Sequence, residues 1–393
     1  MSDEERLSLN ALFPASSRLL LTGGGKDFLE RVGVEAARQV VLSVMRGENI
    51  RAQTEPLSRR RIAQISGGLL ALFAQGMLKQ ENFSANLSDL AVQQIINSRK
   101  SDNASIWPAQ WLIGLTGKSV QNVLRSDPQA RDAYIREFEA AVAEAAEKCR
   151  ADIGELSMTL GYAQDAQGRR VELNWEDMTR LTTAIGCQTL TIRGSDKSVY
   201  GKLFERLVLG AFLTIMGFER VDPATNTRTE KVFWLSDSHD TRESDATLLL
   251  SPGKLARFDI GFIGPGNSEI SKDKLSRFGR ELERADGTYS SVTFIVVDRL
   301  PQTSKTLQAA KKIEAEIIQM SMQYWPRLLA QRIGERFGYQ HELQTIPDSR
   351  MHDYLQAKLA PIPIQDFLIG VSSADLQPET ESTDASEVLE EAD

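Results

Sequence analysis

The sequence is poor in the residues that build disulfide frameworks and zinc sites. Its 393 residues include only two cysteines and three histidines. The cysteines, Cys149 and Cys187, do not form a C-x-x-C pair, and the histidines have no metal-ligand spacing. The chain also lacks a G-x-S-x-G motif that would position a serine nucleophile. We therefore expect neither a disulfide scaffold, nor a zinc site, nor a serine-hydrolase triad.

Long apolar runs are lacking as well. No stretch of about 18 apolar residues is present, which argues against a transmembrane helix. The first residues, MSDEERLSLN, are acidic and lack the basic-then-apolar order of a secretory signal. We expect a cytoplasmic protein without membrane contact, and one long enough for two domains.

Positive charge is absent from the C-terminal end. The chain has 46 basic and 54 acidic residues, and the eight acids between positions 371 and 393 account for the whole excess. The rest of the chain is neutral and can carry a basic face for DNA. Because the tail is poor in large apolar groups, we expect residues 371–393 to be disordered.

The sequence pattern changes near residue 185. Before it helical spacing prevails, and ARDAYIREFEAAVAEAAEKCRADIGEL is the clearest helix. We expect residues 1–185 to form a mainly helical domain that serves DNA recognition or dimerisation. Residues 186–335 mix helices and strands in a second domain, and residues 336–370 are expected to pack on it as an extension.

The second half predicts one helix, three strands, a helix and a further strand. The first helix, with Ser195 or Asp196 as its N-cap, ends near Gly217. The strands EKVFWLS, SDATLLL and LARFDIGFIG follow, and the turn SPGK joins the last two. The apolar stripe that includes Phe278 predicts a helix, and YSSVTFIVVD is predicted to form a buried strand. This order predicts an α/β fold, a mixed β-sheet flanked by helices, with a large N-terminal helical region.

Two aspartates interrupt the apolar strands. Asp245 precedes the second strand, and Asp259 lies within the third. The short hairpin places both carboxylates at one end of neighbouring strands, which lie about 4.8 Å apart. Carboxylates this close repel unless a cation stabilises both charges, and such an oxygen-rich site suits Mg²⁺. The pair therefore predicts a Mg²⁺ site for phosphodiester chemistry.

Each aspartate also has a simpler interpretation. Asp245 alone is explained equally well as a turn residue before a strand. Asp259 is harder to explain in that way, because an ionised side chain in an apolar strand costs free energy unless it is paired. A functional or paired site is therefore favoured for Asp259.

The order of elements and the positions of the acids resemble the PD-(D/E)XK nuclease fold, which runs α-β-β-β-α-β. Asp245 matches the family's Asp after the usual Pro, here Ser244, and Asp259 matches the Asp/Glu of the E-X-K element. Glu205, on the preceding helix, matches an acidic metal ligand that many members carry. Within that superfamily, YGKLFERLVLG and RFDIGFIGPGNSEI are similar to the CfrBI-like type II restriction endonucleases.

The sequence departs from this pattern at the lysine. Position 261, two residues after Asp259, is Gly261 where the family has lysine. We expect a cation from a neighbouring element to take over its catalytic role. Lys274 is the first candidate and Lys272 the second, since both lie at the start of the following helix, and Lys254 in the turn is the weakest.

Glu269, next to the GPGN corner, is a further candidate catalytic acid. It also belongs to an alternative register, in which Asp259 is the first acid and EIS is the E-X-K element with serine in place of lysine. We prefer the first register because SEISKDKLSRFGRELER has helical rather than strand periodicity.

The resemblance implies a type II restriction endonuclease that hydrolyses double-stranded DNA with Mg²⁺ at a palindrome of the form CCWWGG. A palindrome calls for two-fold symmetry, so we expect a homodimer. The resemblance also implies a cognate DNA methyltransferase as partner. Two alternatives stay open. One is a repair or junction nuclease of the same fold, and the other is a non-catalytic DNA-binding protein, which fits the missing lysine.

Two other motifs resemble phosphate-binding elements weakly. LLLTGGGKDF has Asp27 after Lys26 where a phosphate-binding loop has Ser or Thr, so a turn before a helix is the better interpretation. LSRRRIAQ, with Arg59, Arg60 and Arg61, has the charge to contact DNA phosphates, but such a run is more often a solvated helix start.

Overall fold

The computed structural model of the chain describes residues 8–99, 102–116, 125–153, 163–164, 168, 170–171, 175–236, 244–262, 290–297, 316–322, 324–372 and 375–376. The α-helices are Leu9–Leu12 (α1), Ala15–Thr22 (α2), Gly25–Val32 (α3), Val34–Met45 (α4), Ile50–Lys79 (α5), Leu87–Asn97 (α6), Asn103–Leu112 (α7), Pro128–Ile153 (α8), Trp175–Ile215 (α9), Trp325–Phe337 (α10) and Asp348–Leu359 (α11). The strands are Ala163–Gln164 (β1), Arg170–Val171 (β2), Glu219–Arg220 (β3), Val232–Leu235 (β4), Ala246–Ser251 (β5), Lys254–Gly261 (β6), Ser290–Val297 (β7) and Glu316–Gln319 (β8).

The first half is helical, as its sequence pattern predicts. The long helices α5 and α9 pack against each other, and α5 also contacts α2 and α4. Close approach of α2 and α5 depends on Gly68, because a Cβ there would lie 2.5 Å from the hydroxyl of Ser17. None of the helices in the described ranges combines the length and the apolar character that crossing a bilayer requires.

A mixed sheet forms the second half. Within the described residues, six strands pair in the order β3-β4-β5-β6-β7-β8. Strands β4, β5 and β6 are antiparallel neighbours, whereas β3–β4, β6–β7 and β7–β8 are parallel pairs. Gly253, with φ +78°, forms the predicted turn between β5 and β6. The predicted strands are confirmed, and the short strands β3 and β8 extend the sheet at both edges.

The two faces of the sheet differ in character. The face that we call the core face is apolar at its centre and belongs to one continuous core with α9. Its buried side chains are Phe233, Leu248, Ala256, Phe258, Phe294 and Val296. Since side chains alternate along a strand, the opposite face carries the intervening residues. This polar face includes Trp234, Asp245, Thr247, Arg257, Asp259 and Thr293.

Helix α9 begins much earlier than its sequence predicts. It runs without interruption from Trp175, so Ser195 and Asp196 are interior residues and not N-caps. The predicted domain boundary between residues 185 and 186 falls inside this helix. The predicted end is confirmed, because Gly217 adopts the left-handed conformation, with φ +82°.

Arg61 explains why the helix does not start at Asp196. Its guanidinium donates to Asp196 Oδ1 at 2.6 Å, to Ser195 Oγ at 3.1 Å and to the Leu20 carbonyl at 3.1 Å. It also lies over the Phe28 ring. The basic run LSRRRIAQ had suggested that Arg61 is either solvated or in contact with DNA phosphate. Instead, Arg61 is buried and links α2, α5 and α9.

The C-terminal segment packs on the helices beyond the predicted start of the tail. The Val371 carbonyl accepts from Gly25 N at 2.9 Å, at the start of α3, and Lys26 pairs with Asp366. Leu376 is also buried. The packed segment therefore extends past the expected limit at residue 370, and residues 377–393 lie outside the described part of the chain.

Candidate active site

Asp245 and Asp259 face each other at one end of the β5–β6 hairpin. Ala246 pairs with Phe258, so the next position outward brings the two aspartates together. Asp245 N donates to Asp259 Oδ1 at 3.4 Å, and Ile260 N donates to Asp245 Oδ2 at 2.8 Å. Asp259 is only 2% exposed, and Asp245 is half-buried. The structure therefore confirms the juxtaposition that the hairpin predicts.

Neighbouring serines fix the backbone at Asp245. Ser236 N donates to the Asp245 carbonyl at 3.3 Å, and the Ser236 hydroxyl donates to the Ser244 carbonyl. The Ser244 hydroxyl lies 3.2 Å from Thr247 Oγ1. Ser244 thus anchors the entry to β5 through hydrogen bonds of its hydroxyl to the Ala246 carbonyl and Thr247 Oγ1.

Helix α9 contributes to this scaffold through Arg206. The Arg206 guanidinium donates to the Ser236 carbonyl and, at 3.1 Å, to the Phe367 carbonyl. It therefore connects the helix, the end of β4 and the C-terminal segment beside Asp245. Sequence reasoning missed Arg206 and Ser236, because their partners are backbone carbonyls that only the folded chain brings within reach.

Glu205, next to Arg206, is half-buried on α9. In the described ranges no three His, Cys, Asp or Glu side chains come close enough to hold one metal ion together. Glu205 therefore does not complete a three-carboxylate cluster with the two aspartates. Its helix packs on the core face, whereas the aspartates alternate onto the polar face. The role of Glu205 as a metal ligand stays a prediction.

The lysine candidates fall into two groups. Lys272 and Lys274, together with Glu269, lie outside the described residues, so their roles remain predictions. Lys254 lies at the turn, the opposite end of the hairpin from the aspartates, and donates to the Phe337 carbonyl at 3.2 Å. This contact gives a hydrogen-bond donor to a carbonyl in the last turn of α10. The position of Lys254 agrees with the expectation that it is the weakest candidate.

Arg257 was not identified from the sequence. It lies two residues before Asp259 on β6, and its neighbours across the strands are Thr247 on β5 and Thr293 on β7. Both threonines are buried and Arg257 is half-buried. Strand alternation could have identified Arg257 from the sequence, because it puts positions 257 and 259 on one face.

The aspartate pair offers the ligands that a hard divalent cation prefers. Mg²⁺ is commonly held by one or two carboxylates and completes its shell with water and substrate phosphate. Asp245 and Asp259 supply two carboxylates from adjacent strands, and one of them is oriented by a backbone N–H. The donor set therefore fits Mg²⁺.

Comparisons with known proteins point to DNA-cleaving enzymes. The sequence model of the CfrBI restriction endonuclease family matches residues 34–305, a range that includes both aspartates and Arg257. The type II restriction enzyme CfrBI of Citrobacter freundii is 30% identical over 358 residues, which are 91% of this chain and 97% of that enzyme. No solved structure matches significantly.

Proposed function

This chain belongs to the CfrBI restriction endonuclease family, and on that premise we propose that it hydrolyses double-stranded DNA with Mg²⁺ at the Asp245–Asp259 pair. Type II site-specific endonuclease activity follows from the family. The observation that carries the assignment of the site is the facing of two carboxylates at one end of the β5–β6 hairpin.

The element order supports a PD-(D/E)XK fold as part of this proposal. Helix α9 precedes β4, β5 and β6, and β7 then pairs in parallel with β6. A parallel pair needs a crossover connection, which here runs through residues outside the described part of the chain. The acids lie at the second and third of these strands, where that fold has them.

In the proposed reaction, Asp245 and Asp259 would hold Mg²⁺ through their carboxylates. Bound Mg²⁺ would withdraw charge from the phosphoryl oxygens and supply hydroxide near neutral pH. Ile260 N holds the Asp245 carboxylate in place through its hydrogen bond to Oδ2. The buried position of Asp259 limits the water around its carboxylate, which strengthens its interaction with a cation.

Specificity and assembly follow from the same proposal. The target is a short palindrome of the form CCWWGG, as the sequence resemblance implies, and a homodimer matches the symmetry of a palindrome. A DNA methyltransferase of the same restriction-modification system would protect the host copies of this site. Candidate assignments to catalysis also include Lys274, Lys272 and Glu269, and Glu205 is an additional candidate metal ligand.

Digestion of unmethylated phage DNA with Mg²⁺, followed by sequencing of the ends, tests the proposal. We expect discrete fragments with ends at CCWWGG, and no cleavage when the metal is chelated. A smear without a common end sequence would indicate a repair nuclease. Sequence-specific binding without any cleavage would indicate the non-catalytic alternative, which Gly261 makes the second candidate.

A further inference from the structure

We propose that Arg257 contacts the DNA phosphate at the Asp245–Asp259 pair and supplies the positive charge that Gly261 does not. This inference rests on the proposed nuclease function and adds a residue to it. Arg257 would bind two phosphoryl oxygens through its planar guanidinium and stabilise the charge that develops on them during hydrolysis.

The register of the sheet places Arg257 beside the aspartates. Arg257 and Asp259 are successive residues on the polar face of β6, about 7 Å apart along the strand. A lysine at position 261 would be equally far from Asp259 in the other direction. The long arginine side chain spans this distance, so a cation at position 257 can reach the same carboxylate pair from the opposite side.

The surroundings of Arg257 favour a functional charge. Its neighbours across the strands, Thr247 and Thr293, are buried and carry no charge. In the described strands β4 to β8, the acidic residue on the polar face is Asp259, and Asp245 directly precedes β5. Asp259 lies two residues after Arg257 on the same face of β6, and Asp245 lies beside Asp259. The charge of Arg257 is therefore placed next to the two candidate metal ligands.

The chemistry of arginine defines its role. A guanidinium stays protonated in proteins, so Arg257 does not accept a proton from the attacking water. Its contribution is phosphate binding and charge stabilisation, and activation of the water falls to other groups. The competing explanation is that Arg257 only holds the two carboxylates in place as an ion-pair partner.

Single-turnover cleavage by three variants tests the proposal. Arg257→Met removes the charge at similar length, Arg257→Lys retains it, and Arg332→Met removes an exposed cation of α10 as a matched control. With saturating Mg²⁺, we expect Arg257→Met to cleave about 10²-fold more slowly or worse, as for other lost transition-state donors. Arg257→Lys keeps the charge but loses the two-point contact, so its rate should lie between those of Arg257→Met and the wild type. Methylguanidinium in solution should restore part of the rate of Arg257→Met. Arg332→Met should cleave normally.

A wild-type rate for Arg257→Met would overturn the proposal. A loss that neither lysine nor methylguanidinium relieves would also overturn it, because it would indicate a structural role.

A binding measurement without Mg²⁺ keeps the two proposals separate. Loss of one phosphate contact should lower the slope of log K against log salt by about one for Arg257→Met. An unchanged slope contradicts the contact with phosphate even if the wild-type protein does not cleave DNA. Failure of wild-type cleavage with a reduced slope would instead contradict the nuclease proposal and leave the Arg257 contact supported.

Discussion

Breaking the Arg61–Asp196 pair should destabilise the whole protein. The two side chains are 4% and 8% exposed and 2.6 Å apart. Asp196→Ala leaves the guanidinium charged and buried with only a hydroxyl and a carbonyl as acceptors. Removing one partner of a buried pair typically costs about 3–5 kcal/mol, because the remaining charge is uncompensated. We expect Asp196→Ala to lower the free energy of unfolding by an amount in that range.

Arg59 provides a matched control in the same turn of α5. Its pair with Glu55 is 3.5 Å long, and the Arg59 side chain is 73% exposed. Arg59→Met should therefore change the free energy of unfolding by less than about 0.5 kcal/mol. Urea denaturation followed by circular dichroism measures both variants. A cost below about 1 kcal/mol for Asp196→Ala would refute the reasoning.

The double variant Arg61→Met with Asp196→Leu distinguishes the electrostatic effect of an unpaired buried charge from the effect of lost packing. Replacing both charges by apolar groups removes the uncompensated charge, so the loss should be much smaller than for Asp196→Ala alone. If the double variant is as unstable as Asp196→Ala, packing at this junction dominates and the electrostatic account is wrong.

Three further outcomes follow from the structure. Gly210→Ala should cost about 1–3 kcal/mol in denaturation experiments, because its Cβ would lie 2.7–2.8 Å from the ring of Phe367. Deletion of residues 377–393 should leave the melting temperature unchanged and strengthen non-specific DNA binding at low salt, since seven acids are lost; a lower melting temperature would show that the tail packs. Lys274→Ala should slow single-turnover cleavage about 10²-fold. If Lys274→Ala cleaves normally, Lys272→Ala should show this loss instead, and normal cleavage by the double variant would exclude both lysines.

The β5–β6 hairpin was predictable because its signals are local. Apolar runs and the turn SPGK fix the strands within a few residues. The start of α9 was not predictable, because the N-cap character of Asp196 is overridden by an arginine 135 positions away. Strands β3 and β8, with two and four residues, are too short to show a period, and pairing with their neighbours determines them.

The candidate site also has one part that local sequence signals predict and another part that only tertiary packing determines. The aspartate pair follows from residue type and hairpin geometry, so the sequence alone placed it. The contact of Arg206 with the Ser236 carbonyl depends on how α9 packs against the sheet, and no sequence pattern encodes that. Arg257 could have been found from strand alternation, but it was not considered because lysine was expected two residues after Asp259 and not two before it.

Cleavage by Asp259→Asn tests the central claim most directly. Single-turnover cleavage of a duplex with the CCWWGG sequence is measured beside binding of the same duplex without metal. The account predicts that cleavage is abolished, that the fold is retained and that specific binding survives or tightens, because one negative charge near the phosphate is lost. Asp245→Asn should behave alike, and Glu205→Gln should only slow the reaction. Cleavage by Asp259→Asn at a near wild-type rate would contradict the assignment of the site.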